Sequence, residues 1–238
     1  MNVLSDHFSE HLQELRQRLM VAFAAIIVCS LAAYYFSEPI ARFFMAPLFT
    51  AHPALAKLVY TNLTEAFVAY IKVALLVGLI VSFPVVCHQM WSFAAPGLRK
   101  SEKWLAVKVV FWGSGLFAAG VLFAYFAVLP RMLTFLMSFA GPELTAMPKL
   151  DAYLTFVART ALSFGLAFEI PFLMVMAGKA GIVERRYFVA KRKYAYLLIL
   201  VLAFLLSVGD PFATALLAFP LAGLYEAGIL VMRIFVRN

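Results

Sequence analysis

Residues 160–178 read TALSFGLAFEIPFLMVMAG, a nineteen-residue run of membrane character interrupted by one carboxylate, Glu169. A spanning helix needs about 20 apolar residues, within a range of roughly 17–25. The run is therefore long enough to cross a bilayer. A bare carboxylate at the bilayer centre costs about 2.5–3.5 kcal/mol on insertion scales, so it needs a partner, a proton or a cavity.

The whole chain repeats this character. Its 238 residues are 65% hydrophobic and 13% charged, with a mean hydropathy of +0.93. Soluble globular chains are about 45–50% apolar and about 25% charged. The composition specifies an all-α polytopic membrane protein, and the succession of apolar runs makes residues 1–238 a single membrane domain. Six segments are expected to span: 19–36, 66–87, 107–129, 154–178, 194–208 and 212–232. Breakers punctuate them at Ser37-Glu38-Pro39, Pro96-Gly97, Pro130, Gly141-Pro142, Gly178 to Gly181 and Gly209-Asp210-Pro211. Asp6, Glu10 and Glu14 precede the first apolar run where a secretory signal would carry a plain basic region, so 19–36 reads as a retained span.

Six spans put both termini on one side, and basic residues say which. Of the twenty lysines and arginines, fourteen fall in the N-terminal lead, the segments after the second and fourth spans, and the tail. Arg42, Lys57, Lys72, Arg131, Lys149 and Arg159 fall on the other side or its adjoining helix ends. The positive-inside rule then makes both termini cytoplasmic, and residues 37–65, 130–153 and 209–211 are expected outside. This use of the net charge of +8 leaves no case for nucleic acid. Cys29 and Cys87 are far apart in apolar runs, and His7, His11, His52 and His88 are scattered, so neither a disulfide framework nor a metal or other cofactor is expected.

The fifth span is short. Fifteen residues at 194–208 reach about 22 Å at 1.5 Å per residue, against a hydrocarbon core of about 30 Å. The sixth contains Pro220 and Glu226. Local bilayer thinning would accommodate such a pair, and so would Tyr194 and Tyr196 at the headgroups with a snorkelling basic flank.

Two polar stretches stand out. In the lead, SDHFSEHLQELRQRL, the residues Phe8, Leu12, Leu15 and Leu19 form one helical stripe, with Glu10, Glu14, Arg16 and Arg18 off it. Periodicity alone makes this an interfacial helix with an i,i+4 Glu14–Arg18 pair. In FPVVCHQMWSFAAPGLRKSEKW, residues 83–104, Pro84 lies in the end of a span, Trp91 and Phe93 belong at the interface, and Glu102 stands in a basic segment beside Arg99 and Lys103.

These stretches, taken with FAYFAVLP at 123–130, FGLAFEIP at 164–171, RRYFVAKRKY at 185–194 and Gly-Asp-Pro at 209–211, resemble in order the TatC family of twin-arginine protein translocases. The resemblance covers essentially the whole chain. It implies a glove-shaped six-helix bundle with a concave face in the bacterial cytoplasmic (inner) membrane. It further implies a receptor for twin-arginine signal peptides that self-associates and works with single-span TatA-like and TatB-like partners, exporting folded proteins on the proton-motive force. By position, Glu14 and Glu102 match the acidic residues of the signal-peptide site, joined by Arg16 and Phe93, while Pro47, Pro84, Glu169 and Asp210 match further positions of weight. The chain departs from the pattern at Gly209, where a second proline is expected.

The chemistry agrees with this implication. Guanidinium groups pair best with carboxylates in bidentate geometry, and Glu14 and Glu102 fall on one membrane side at one depth, so they can converge across 88 positions. The surrounding cations would exclude mismatched charges and attract membrane lipids. For Glu169 three roles compete: a neutral acid bonding to a partner helix, a proton carrier, or an internal pair with Arg159 or Lys72. Arg159 is ten residues away, about 15 Å along the helix, too far for a direct pair. The partner-helix role is the preferred reading. A proton-driven transporter would be expected to show internal repeats, and none is evident between 1–120 and 121–238. An enzyme would need a nucleophile and base or a metal motif within the spans, and neither is evident.

Overall fold

The computed structural model describes residues 3–51, 55, 58–94, 103–138, 147–179, 181–207 and 211–235. Its order is α1 (Val3–Tyr35), α2 (Ser37–Ala51), α3 (Glu65–Ala94), α4 (Lys103–Phe123), a π-helical turn (Ala124–Val128), α5 (Leu129–Ser138), α6 (Leu150–Lys179), α7 (Arg185–Ala190), α8 (Arg192–Leu206) and α9 (Pro211–Phe235). One isolated parallel bridge joins Val59 to Lys149. The architecture is all-helical.

Among the described residues, five helical stretches are long and apolar enough to cross a membrane: His11–Tyr35, Glu65–Phe93, Val107–Ser138, Leu150–Lys179 and Thr214–Ile234. They correspond to the expected first four spans and the sixth. The expected fifth coincides with α8, which has only 15 residues. Lipid-facing character is plain on α8, where Leu197, Leu198, Leu200, Val201, Leu202, Phe204 and Leu205 are all exposed. Apolar side chains around so much of a helix suit a lipid solvent, not water.

The structure changes three expectations about boundaries. First, the amphipathic lead and the first span are one continuous 33-residue helix, because nothing between Phe8 and Leu19 breaks it. Second, Ser37-Glu38-Pro39 interrupts the helix only at Phe36; Pro39 lies in the first turn of α2, where its missing N–H costs nothing. Third, Pro130 does not stop its helix. The preceding turn widens to the π form, with the Leu129 N–H donating to Ala124 O, and α5 continues to Ser138. A π turn is one way to re-route backbone bonds that a proline removes.

The chain divides into two compact units, Met1–Ala41 with Phe67–Gly115, and Arg42–Ala66 with Leu116–Asn238. In the first, α1 and α3 meet closely at Gly78, where an added Cβ would lie 2.1 Å from Ser30 Oγ. Only a residue without a side chain fits there. In the second, α9 packs on α6, α7 and α8 around a core containing Phe164, Ala203, Leu217, Ile229 and Met232. A Cβ on Gly120 would meet the Phe164 carbonyl oxygen at 2.4 Å, so α4 and α6 touch backbone to backbone. Small residues are what permit such approach in membranes.

Candidate functional site

The first unit carries the N-terminal candidates. Glu14 and Arg18 lie one turn apart on α1, and Arg18 Nε donates to Glu14 Oε1 at 2.9 Å, with a second bond from Nη2. The side chains of Arg18 and Glu14 are 26% and 35% exposed, so the pair is open to solvent on one side. Arg16 is exposed. Phe93, near the end of α3, stacks on His11 with ring centroids 4.5 Å apart and planes at 17°. His11 and Glu14 are i,i+3 neighbours on one helix face, so this stack brings Phe93 to the turn that carries Glu14. Trp91 Nε1 is buried nearby in the sequence with no hydrogen-bond partner among the described residues. Glu102 lies outside the described residues.

The second unit carries Glu169 and Pro47. Glu169 sits mid-way along α6 and is 8% exposed, and its Oε1 has no hydrogen-bond partner among the described residues. No salt bridge reaches it among them; Arg159 is exposed and lines a separate aliphatic groove with Leu162, Leu166 and Ile170. Two residues on, Pro171 cannot donate to Ala167 O. There α9 comes close: a Cβ on Gly228 would stand 3.1 Å from Pro171 Cα and 2.6 Å from Met174 Sδ. An acid held in such apolar packing retains one unused acceptor.

Pro47 acquires a structural reason. It is buried within α2 and lacks the N–H that would have reached the carbonyl of Phe43, four residues back. The Tyr125 hydroxyl, from the π-helical turn, donates to that carbonyl at 2.6 Å. One residue along, Tyr153 of α6 donates to Phe44 O at 2.8 Å. The Tyr125 phenol replaces what the proline takes away, and Tyr153 adds a second bond to the same turn. Pro84 lies exposed within α3. Asp210 is outside the described residues; on either side of it, Ser207 and Thr214 share a buried hydroxyl bond of 2.6 Å.

Four residues were missed by sequence reasoning. His11 offered only its place three residues before Glu14. Tyr125 and Tyr153 carried no local signal, because their acceptors lie 82 and 109 positions away. Glu65 was legible in principle: in Thr-Asn-Leu-Thr-Glu its carboxylate accepts from the Thr61 and Asn62 N–H groups at 2.8 and 3.4 Å, a capping arrangement. It also accepts from the Asp151 N–H at 3.4 Å, tying the start of α3 to that of α6.

Long apolar helices with exposed aliphatic faces define a polytopic helical membrane protein. The family model described as "Sec-independent protein translocase protein (TatC)" matches residues 10–220. The chain belongs to the TatC family, a component of the Sec-independent protein translocase and not an enzyme. It is 40% identical over 220 residues to the TatC of Magnetococcus marinus, covering 92% of this chain and 81% of that protein. With the Escherichia coli TatC it shares 35% identity over 226 residues, covering 95% and 88%. A crystal structure of the twin-arginine translocase receptor TatC superposes with a TM-score of 0.87 at 34% identity, covering 95% of this chain and all of that one.

Proposed function

We propose that this chain is the receptor subunit of a twin-arginine translocase, binding twin-arginine signal peptides through Glu14 and Glu102 and recruiting single-span TatA-like and TatB-like partners. Transport of folded cargo would draw on the proton-motive force. The observation that carries the reading is membership of the TatC family over residues 10–220, supported by the exposed side of the Glu14–Arg18 pair. Glu14 is held by an intramolecular cation one turn away, and a signal-peptide guanidinium would compete with it or share its carboxylate. Phe93, stacked on His11, would offer an aromatic surface beside that carboxylate. In this account α8 is the fifth of six crossings, both termini are cytoplasmic, and the membrane is the bacterial inner membrane. The short reach of α8 favours a locally thinned bilayer beside it.

The test is binding of a twin-arginine precursor to membranes carrying Glu14→Ala, Glu102→Ala or both. Each single change should weaken binding while the protein still inserts, since an exposed ion pair contributes about 0.2–1 kcal/mol to folding. The double variant should add little beyond the worse single change, because both carboxylates serve one ligand. Unchanged binding in the double variant removes the pair from the mechanism.

A further inference from the structure

At the start of α8, among residues to which no functional role has been given above, lies a shallow pocket of about 420 Å³ lined by Tyr187, Phe188, Lys191, Tyr194, Leu198 and Tyr225. Its floor is fixed: the Tyr225 hydroxyl donates to Phe188 O at 2.8 Å, joining α9 to α7. Its rim is open, with Tyr187 56% and Tyr194 67% exposed. Lys191 stands 4.9 Å from the Tyr194 ring centroid. Glu226, the carboxylate next to Tyr225, is already engaged by Arg192 at 2.7 Å and by the Tyr196 hydroxyl at 2.5 Å. The neighbouring sequence from 179 to 193 carries six cations, Lys179, Arg185, Arg186, Lys191, Arg192 and Lys193, against one acid, Glu184.

A rim of phenols and one ammonium over an aromatic floor fits an anion with an apolar body. The helix beyond supplies the rest: Leu198, Val201 and Leu205 are exposed on α8 at spacings of three and four, a continuous aliphatic track leading from the pocket. Aromatic residues at helix ends sit at headgroup level, and basic pockets between helices there take anionic headgroups. We propose that this pocket binds an anionic phospholipid, with Lys191 on the headgroup phosphate, Tyr187 and Tyr194 as hydroxyl donors, and an acyl chain along Leu198, Val201 and Leu205. None of its lining residues is among those proposed for signal-peptide recognition.

Native mass spectrometry of the full chain tests it, in micelles supplied with phosphatidylglycerol and phosphatidylcholine of identical acyl chains. Phosphatidylglycerol should be retained over phosphatidylcholine, and Lys191→Gln should lower its retention about fivefold, the effect of one cation near an anionic headgroup. Lys191→Arg should restore it. Lys193→Gln, a charge change on the same segment but outside the pocket, should leave retention unaltered. Equal retention of the two lipids, an equal loss in Lys191→Gln and Lys193→Gln, or displacement of the lipid by inorganic phosphate would each overturn the proposal.

Discussion

Glu169 concentrates the physical problem of this chain in one side chain. It is buried at mid-helix, no ion pair reaches it among the described residues, and Oε1 stands unbonded. Of the three roles the sequence left open, the pair with Arg159 fails on distance along the helix, and the two side chains are unpaired in the structure. An acid with an unused acceptor in apolar packing suits a polar group arriving on another helix. Glu169→Gln preserves shape and hydrogen bonding, Glu169→Leu abolishes the bonding, and neither can carry a proton. Export of a folded cargo at equal expression should therefore survive in the Gln variant and fail in the Leu variant, with partner crosslinking to α6 lost alongside. Interhelical hydrogen bonds in membranes average about 0.6 kcal/mol, so both variants should remain folded. Failure of both with crosslinking intact would assign the residue to proton coupling; activity in both would make it dispensable.

At the scale of elements, α2 depends on bonds from distant helices. Pro47 leaves Phe43 O free and Tyr125 caps it, so Tyr125→Phe should leave a part-buried carbonyl without its donor at a cost of about 0.5–1.5 kcal/mol. Pro47→Ala returns an N–H to that carbonyl. In its background Tyr125→Phe should cost distinctly less, a coupling that thermal unfolding of the four proteins in detergent measures directly. Equal costs in both backgrounds would mean the tyrosine bond does not compensate for the proline. The same example shows what sequence reading could reach. The apolar runs 66–87, 154–178 and 212–232 predicted α3, α6 and α9 because a bilayer demands about 20 apolar residues wherever a helix crosses. Pro130 and Pro39 misled, because a proline breaks a helix only where its missing N–H or ring is not accommodated; a π turn accommodates one and a first turn the other. Helix α2 was missed because its 15 residues fall below spanning length and sit among turn signals. The Glu14–Arg18 pair was legible because it is local, whereas the stack of Phe93 on His11 joins residues 82 positions apart and has no sequence period to announce it.

For the whole molecule, orientation and receptor function are the claims to test. With Cys29 and Cys87 replaced, cysteines at Leu63, which is 96% exposed, and at exposed Arg186 should label oppositely on intact cells treated with an impermeant reagent. Leu63→Cys should react and Arg186→Cys should not if the basic segments lie inside, as the positive-inside rule requires; the reverse pattern would invert the topology. The central claim is recognition of paired arginines, which two bidentate carboxylates can read where lysines, as point charges, satisfy them poorly. Site-specific photocrosslinking from position 102 in native membranes, with a twin-arginine precursor and its twin-lysine counterpart, tests it most directly. A strong adduct with the twin-arginine precursor and a weak one with the twin-lysine form is the predicted result; equal adducts with both, or none with either, would contradict it.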